Sequence, residues 1–282
     1  MNKKEATMTV SANKILGPSS FARMKKKGQK ITMITAYDYP GAKSVSQTGV
    51  EIILVGDSLG NVILGYDGTI GVTMDDMVVH SAAVRRGAPS KFVVTDMPYM
   101  SYHVSAEETK RNAARLVLES GANAVKLEGG SQSRLDAIKQ IVDIEIPVCA
   151  HLGLTPQSVL KFGGYKVQGK GETAAEILER EALAVQEAGA FMLVLEAIPE
   201  ELAKKITRLL DIPTIGIGAG RYCDGQVLVY HDMLGHSNMR PKFVKQYANL
   251  DEIIVQGIND YDREVKDGTF PSEEYIYYPT GE

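Results

Sequence analysis

Cysteine is scarce in this 282-residue chain, which has only Cys149 and Cys223. Two thiols cannot build a disulfide framework, so the small secreted scaffolds are excluded and a reducing cytosol is the expected setting. Long apolar runs are missing too, and no segment approaches the roughly 20 residues that a bilayer-spanning helix needs. The opening "MNKKEATMTVSANK" has lysines but no apolar stretch behind them, so it does not read as a secretory signal. Positive charge is not in excess either. A net charge of -4 leaves no basic face for nucleic acid and no polybasic membrane patch. What remains is a soluble globular chain, long enough for a substantial core in one large domain or two small ones.

Apolar residues are plentiful and gather in short runs. Strand-like segments occur at 30–38, 51–58, 91–98, 124–130, 147–153, 191–197, 213–220 and 226–232. Near-continuous apolar runs suit strands covered on both faces, as in a parallel sheet. Helical patterns fill the intervals. "SAEETKRNAARLVLESG" opens with Ser105 and Glu108 at capping-box spacing and closes at Gly121, a good residue for a left-handed helix end. "PEELAKKITRLL" places Pro199 where a first helical turn accepts it. Eight strands alternating with helices fit a single (β/α)8 TIM barrel over residues 15–272, flanked by an arm at 1–14 and a tail at 273–282. A doubly wound open sheet is the rival. One junction resists the pattern: "CDG" between the last two strand signals leaves no room for a helix. Either one of those strands is misplaced or the barrel closes irregularly.

Four of the apolar runs end in an acid: Asp57 in "EIILVGDS", Asp96 in "KFVVTDMP", Glu128 in "NAVKLEGG" and Glu196 in "FMLVLEAIP". A carboxylate at the end of a buried strand is expensive to desolvate unless something pairs with it. On a barrel the four would gather at the C-terminal mouth, where such folds keep their active sites. Four like charges there repel unless a cation joins them or some are protonated. An all-oxygen set without nearby cysteine suits a hard divalent ion, Mg²⁺ before Zn²⁺. The plainer alternative is that each acid caps the following helix or pairs with an arginine. Lys126 shares a strand face with Glu128, either to hold a substrate carboxylate or to neutralise that acid. His151 also lies near a strand end, whereas His80, His103, His231 and His236 have no zinc-site spacing. "GYKVQGKG" has P-loop spacing, but Gly171 stands where Ser or Thr must hold Mg²⁺. "GIGAGR" misses the third dinucleotide glycine at Arg221.

The segments "TAYDYP", "VGDSLG", "HSAAVRRGAP", "DMPYMSY", "VKLEGG", "HLGLTPQS", "GGYKVQGK", "LVLEAIP" and "IPTIGIGAG" occur in this order over about residues 20–270. Together they resemble the ketopantoate hydroxymethyltransferase family. That resemblance implies a barrel of the phosphoenolpyruvate/pyruvate type, a divalent metal (usually Mg²⁺) and a cytoplasmic homo-oligomer, commonly a homodecamer. It implies transfer of a hydroxymethyl group from 5,10-methylenetetrahydrofolate to 3-methyl-2-oxobutanoate through a metal-stabilised enolate, giving 2-dehydropantoate for pantothenate synthesis. By motif, Asp57, Asp96 and Glu128 would be the metal acids and Glu196 the general base. Asp57, Ser58, Asp96 and Lys126 would bind the 2-oxo acid, with Tyr37 and His151 nearby. A Mg²⁺-dependent lyase or mutase of the isocitrate lyase type is the alternative on the same scaffold. Such enzymes generally carry a catalytic cysteine loop, and "GGYKVQGKG" contains no cysteine.

Overall fold

The structure is a computed structural model that describes residues 16–237 and 239–279; the expected arm at 1–14 lies outside the described residues. The chain divides into two compact units, one ending at Val229 and the other beginning at Tyr230. The first unit runs α1 (Pro18–Lys26), β1 (Ile31–Thr35), α2 (Tyr39–Ser46), β2 (Ile52–Val55), α3 (Leu59–Val62), α4 (Met74–Gly87), β3 (Phe92–Asp96), α5 (Ala106–Leu118) and β4 (Ala124–Glu128). It continues with α6 (Gln132–Asp143), β5 (Val148–Gly153), α7 (Val159–Phe162), α8 (Glu172–Glu187), β6 (Met192–Glu196), α9 (Glu200–Leu209), β7 (Thr214–Ile217) and β8 (Gly225–Leu228). The second unit holds α10 (Tyr230–Leu234), α11 (Leu250–Asp267) and a single 3₁₀ turn at Glu273–Tyr275.

All eight strands pair in parallel, each with the next and β8 with β1, into a closed barrel rather than an open sheet. Every residue of β2, β3, β4 and β5 is buried, which is why their sequences are apolar without alternation. The helix boundaries follow local chemistry. Ser105 Oγ accepts the Glu108 backbone N–H at 3.1 Å and starts α5, while Gly121, at φ +76°, turns the chain after it. Pro199 sits one residue before α9, as its N-cap. Thr73 and Asp76 form a reciprocal capping box at the head of α4.

The awkward junction is resolved by irregular closure. Strands β7 and β8 both exist, and the segment between them, 218–224, contains no helix. Asp224 supplies what a helix would have supplied. Its Oδ2 accepts hydrogen bonds from the Thr214 backbone N–H at 2.9 Å and from Lys25 Nζ at 2.9 Å, tying the start of β7 to α1. Gly225 is required there, because a Cβ would collide with the Ile31 carbonyl of β1.

Within the barrel the lumen-facing residues change character along each strand. Phe92 and Val94 precede Asp96; Ala124 precedes Lys126 and Glu128; Cys149 precedes His151; Met192 and Val194 precede Glu196. The first members form one apolar cluster with Ile31, Met33, Ile52, Leu54, Ile215 and Val227. Phe21 of α1 closes that end, with its ring 5.2 Å from Phe92 edge-on and 6.4 Å from Phe191. The charged members lie at the opposite end.

Candidate active site

Strand register sets the site. Asp96 is level with Lys126, Glu128 with His151, and Gly153 with Glu196, so the charged side chains step from rung to rung across the C-terminal ends of four adjacent strands. Asp57 joins from the turn after β2, where its backbone N–H donates to Asp96 Oδ2 at 3.1 Å. Exposures are 3% for Asp57, 2% for Asp96, 4% for Lys126, 4% for Glu128 and 2% for His151. The Glu196 side chain is more open, at 15%.

Lys126 donates to Asp96 Oδ1 at 2.7 Å and lies 3.8 Å from Glu128 Oε1. His151 spans the next gap: Nδ1 is 3.2 Å from Glu128 Oε1 and Nε2 is 3.2 Å from Glu196 Oε2. Both are ion-pair distances, though neither contact has hydrogen-bond alignment. Ser58 Oγ and Tyr37 Oη are 2.7 Å apart beside Asp57. A Cβ on Gly56 would meet both Ser58 Oγ (2.8 Å) and Asp96 Oδ2 (3.5 Å), so this glycine keeps a small oxygen-lined cradle open. Tyr37, Asp57, Ser58, Asp96, Lys126, Glu128, His151 and Glu196 thus lie in one connected group.

The electrostatics of the group are uneven. Burial, then repulsion from Asp96 and Glu128, pushes the Asp57 carboxyl well above its usual range. Asp96 is also raised by burial, against the pull of Lys126. Burial acts on Glu128 in the same direction, but His151, Lys126 and the Gln157 N–H outweigh it and hold Glu128 below the ordinary value. Burial and the Lys126 charge oppose protonation of His151, yet its two carboxylate neighbours prevail and lift the imidazole to about 9. Lys126 behaves alike: desolvation works against its charge, and Asp96, Glu128 and Asp57 together raise its pKa. Four carboxyl groups therefore share the site with two cationic side chains, an excess of acids over bases.

Two participants were not singled out from sequence. Gln157, buried in the 3₁₀ turn after β5, donates from Nε2 to Asp57 Oδ2 at 2.8 Å and to the Met97 carbonyl at 3.0 Å. Its backbone N–H donates to Glu128 Oε2 at 3.0 Å. Tyr102 donates to Gln157 Oε1 at 2.6 Å and accepts the Glu128 N–H at 3.2 Å. Gln157 thereby holds two of the acids at once. Both residues lie inside "HLGLTPQS" and "DMPYMSY", but a neutral amide in a loop has no periodicity or charge excess to mark it.

The donor chemistry accommodates a hard divalent cation: carboxyl oxygens from Asp57 and Asp96, the adjoining Ser58 hydroxyl, and an excess of acids over cationic side chains. Among the described residues, no three His, Cys, Asp or Glu side chains are arranged so that all could hold one ion. A site of two carboxylates completed by water and substrate is how Mg²⁺ is usually bound.

The profile of the family described as ketopantoate hydroxymethyltransferase matches residues 17–273. The chain belongs to this family. A 3-methyl-2-oxobutanoate hydroxymethyltransferase of Syntrophomonas wolfei is 54% identical over 254 residues, covering 90% of this chain and 92% of that one. One from Thermoanaerobacter sp. is 56% identical over 256 residues, covering 90% and 93%. Among solved structures, a phosphonopyruvate hydrolase in complex with oxalate and Mg²⁺ superposes with a TM-score of 0.60 at 12% identity, covering 93% of this chain and 92% of that one. At that identity the likeness shows the barrel fold alone.

Proposed function

We propose that the chain transfers a hydroxymethyl group from 5,10-methylenetetrahydrofolate to 3-methyl-2-oxobutanoate, giving 2-dehydropantoate, a precursor in pantothenate synthesis. Family membership supports the reaction. The observation that carries the residue roles is the row Asp57–Asp96–Lys126–Glu128–His151–Glu196 across adjacent strand ends. Lys126 and Ser58 supply a cation and a hydroxyl for the substrate carboxylate and keto oxygen, and Tyr37 fixes the Ser58 hydroxyl. Glu196 is the most open acid of the row and takes the C3 proton as general base. His151 orients Glu196 from the opposite side of its ring to Glu128. A Mg²⁺ ion held by Asp57 and Asp96, with Glu128 adding its charge, would polarise the 2-oxo acid and favour its enolisation.

The reading includes a cytoplasmic setting and self-association, with a homodecamer as the expected assembly. No described helix is long and apolar enough to cross a membrane. In α11, Ile254, Ile258, Tyr261 and Val265 recur at helical spacing and are all exposed, as an association surface would be. Nothing in the site favours the lyase alternative. Cys149 lies in the apolar cluster, where burial pushes its thiol up to about 12, and Cys223 is also buried.

A proton NMR time course tests the proposal, with both substrates present and either Mg²⁺ or EDTA. The isopropyl doublet should give way to a gem-dimethyl singlet and a hydroxymethyl signal only with metal. Substrate left untouched by folded, metal-replete protein would overturn the transferase reading and bring the lyase test, with C4 to C6 hydroxy acids, to the front.

A further inference from the structure

A second recess opens beside the mouth, between the turns that follow β3, β4 and β5. Its volume is about 230 Å³, and Tyr99, Tyr102, His103, Glu128, Arg134 and Lys161 are among the residues around it. Glu128 belongs to both, so the recess borders the row of site residues. Three of its walls are flat and aromatic: the His103 ring is 4.2 Å from that of Tyr102 and 5.2 Å from that of Tyr99. The Arg134 guanidinium lies over the Tyr102 ring, 5.2 Å from its centroid.

The charge here is opposite to that of the row. Among the described residues, neither Arg134 nor Lys161 has a carboxylate at ion-pair distance. Apart from Tyr102, Arg134 makes a 3.4 Å contact with Ser133 Oγ, and the Lys161 charge acts on Glu181 without pairing with it. His103 adds a buried Nδ1 with no partner. Burial and then Arg134 draw its pKa down to about 4, so the ring is neutral at physiological pH. Two unpaired cations, an unsatisfied ring nitrogen and stacked aromatic walls describe a receptor for carboxylates borne on a flat aromatic group.

We propose that this recess binds the acidic tail of the one-carbon carrier, with Arg134 and Lys161 receiving the glutamyl carboxylates and the tyrosine and histidine rings facing the p-aminobenzoyl group. The assignment rests on the transferase reading for the identity of the carrier. Shared contact with Glu128 explains the geometry, because a carrier anchored by its tail here extends its reactive end toward Lys126 and Glu196. The 2-oxo acid needs no second anion site, since Lys126 already serves it at the centre of the row.

The test uses the full chain carrying Arg134→Gln, Lys161→Ala or both; Gln keeps part of the stem that packs beside Gly129. Binding of p-aminobenzoyl-L-glutamate is followed by calorimetry. KM is measured for methylenetetrahydrofolate and for the matching tetrahydropteroate carrier, which lacks the glutamate. Loss of the two charge-assisted contacts should weaken binding of the probe about tenfold or more in the double variant. The KM for the glutamate-bearing carrier should rise by the same factor. The KM for the tetrahydropteroate carrier, and exchange of the C3 proton of 3-methyl-2-oxobutanoate into D₂O without carrier, should be unchanged. Unaltered probe binding, or an equal rise in KM for both carriers, overturns the tail site while leaving the transferase reading intact. Charge-dependent probe binding in a protein that transfers nothing supports the recess as a carboxylate site and overturns the reaction.

Discussion

The two ends of the barrel lumen are built from the same strands and do opposite work. Toward the strand starts, Phe92, Val94, Ala124, Cys149, Met192 and Val194 fill the interior with apolar volume and are sealed by Phe21. Toward the strand ends, the next residues on the same faces are Asp96, Lys126, Glu128, His151 and Glu196. Removing apolar volume from one end costs stability, because a close-packed interior cannot refill the gap. Charges at the other end are held against the preference of the fold. Asp57 and Asp96 are pushed toward protonation by their own burial. The lower lumen therefore stabilises a structure that the upper lumen spends on reactivity.

The widest separation should come from a pair of variants, one at each end of β6. Glu196→Gln keeps the side chain's shape and removes the base. The expected loss in kcat is on the order of 10³-fold. The melting temperature and the affinity for 3-methyl-2-oxobutanoate should stay near those of the wild type. Loss of 2-oxo acid binding in that variant would remove Glu196 from the role of base. Met192→Ala, four residues earlier on the same face, is expected to cost about 3 kcal/mol in denaturant unfolding while kcat at low temperature is retained. If Met192→Ala abolished turnover in folded protein, or Glu196→Gln unfolded the chain, the division between the two ends would be lost.

Gln157 is the intermediate case. It carries no charge and touches no lower-lumen residue, yet it holds Asp57 and Glu128 and receives the Tyr102 hydroxyl. Gln157→Ala leaves the backbone N–H bond to Glu128 and deletes the rest, so Asp57 loses its amide donor. Kinetics should show a 10- to 100-fold fall in kcat/KM, the range typical of groups that orient ligating side chains. Titration should show weaker Mg²⁺ binding in parallel. Unchanged metal affinity beside reduced kcat/KM would mean that Gln157 acts only on the loop that bears it.

What the sequence disclosed follows the same division. Apolar runs ending in an acid were readable because burial and charge are each encoded in single residues, so the eight strands and the row from Asp57 to Glu196 could be placed. Lys126 and Glu128 shared a face by strand periodicity alone. Gln157 and Tyr102 escaped notice because their importance lies in hydrogen bonds across 26 to 100 positions of sequence. The helix-free closure was visible as a conflict in "CDG", but its remedy was not. Asp224 can replace a helix only once Thr214 and Lys25 are known to be beside it. The recess bearing Arg134 and Lys161 was hidden for a similar reason, since three separate turns contribute to it.

The smallest effect should come from outside the lumen, where neither rule applies. Thr73 Oγ1 accepts the Asp76 N–H at 3.1 Å, and Asp76 Oδ2 accepts the Thr73 N–H at 2.9 Å, closing the head of α4. Like the site, this cap follows β2 in the chain, so chain position alone would suggest a functional role. Its bonds serve only the first turn of the helix. Thr73→Ala should therefore lower stability by about 1 kcal/mol, the usual loss for a side-chain cap, and leave kcat, both KM values and Mg²⁺ affinity unchanged. Paired denaturation and steady-state measurements decide the point. A kinetic defect of tenfold or more from so modest a stability change would show that the ring of helices takes part in setting the site, and that the contrast between the lumen's two ends is too narrow a frame.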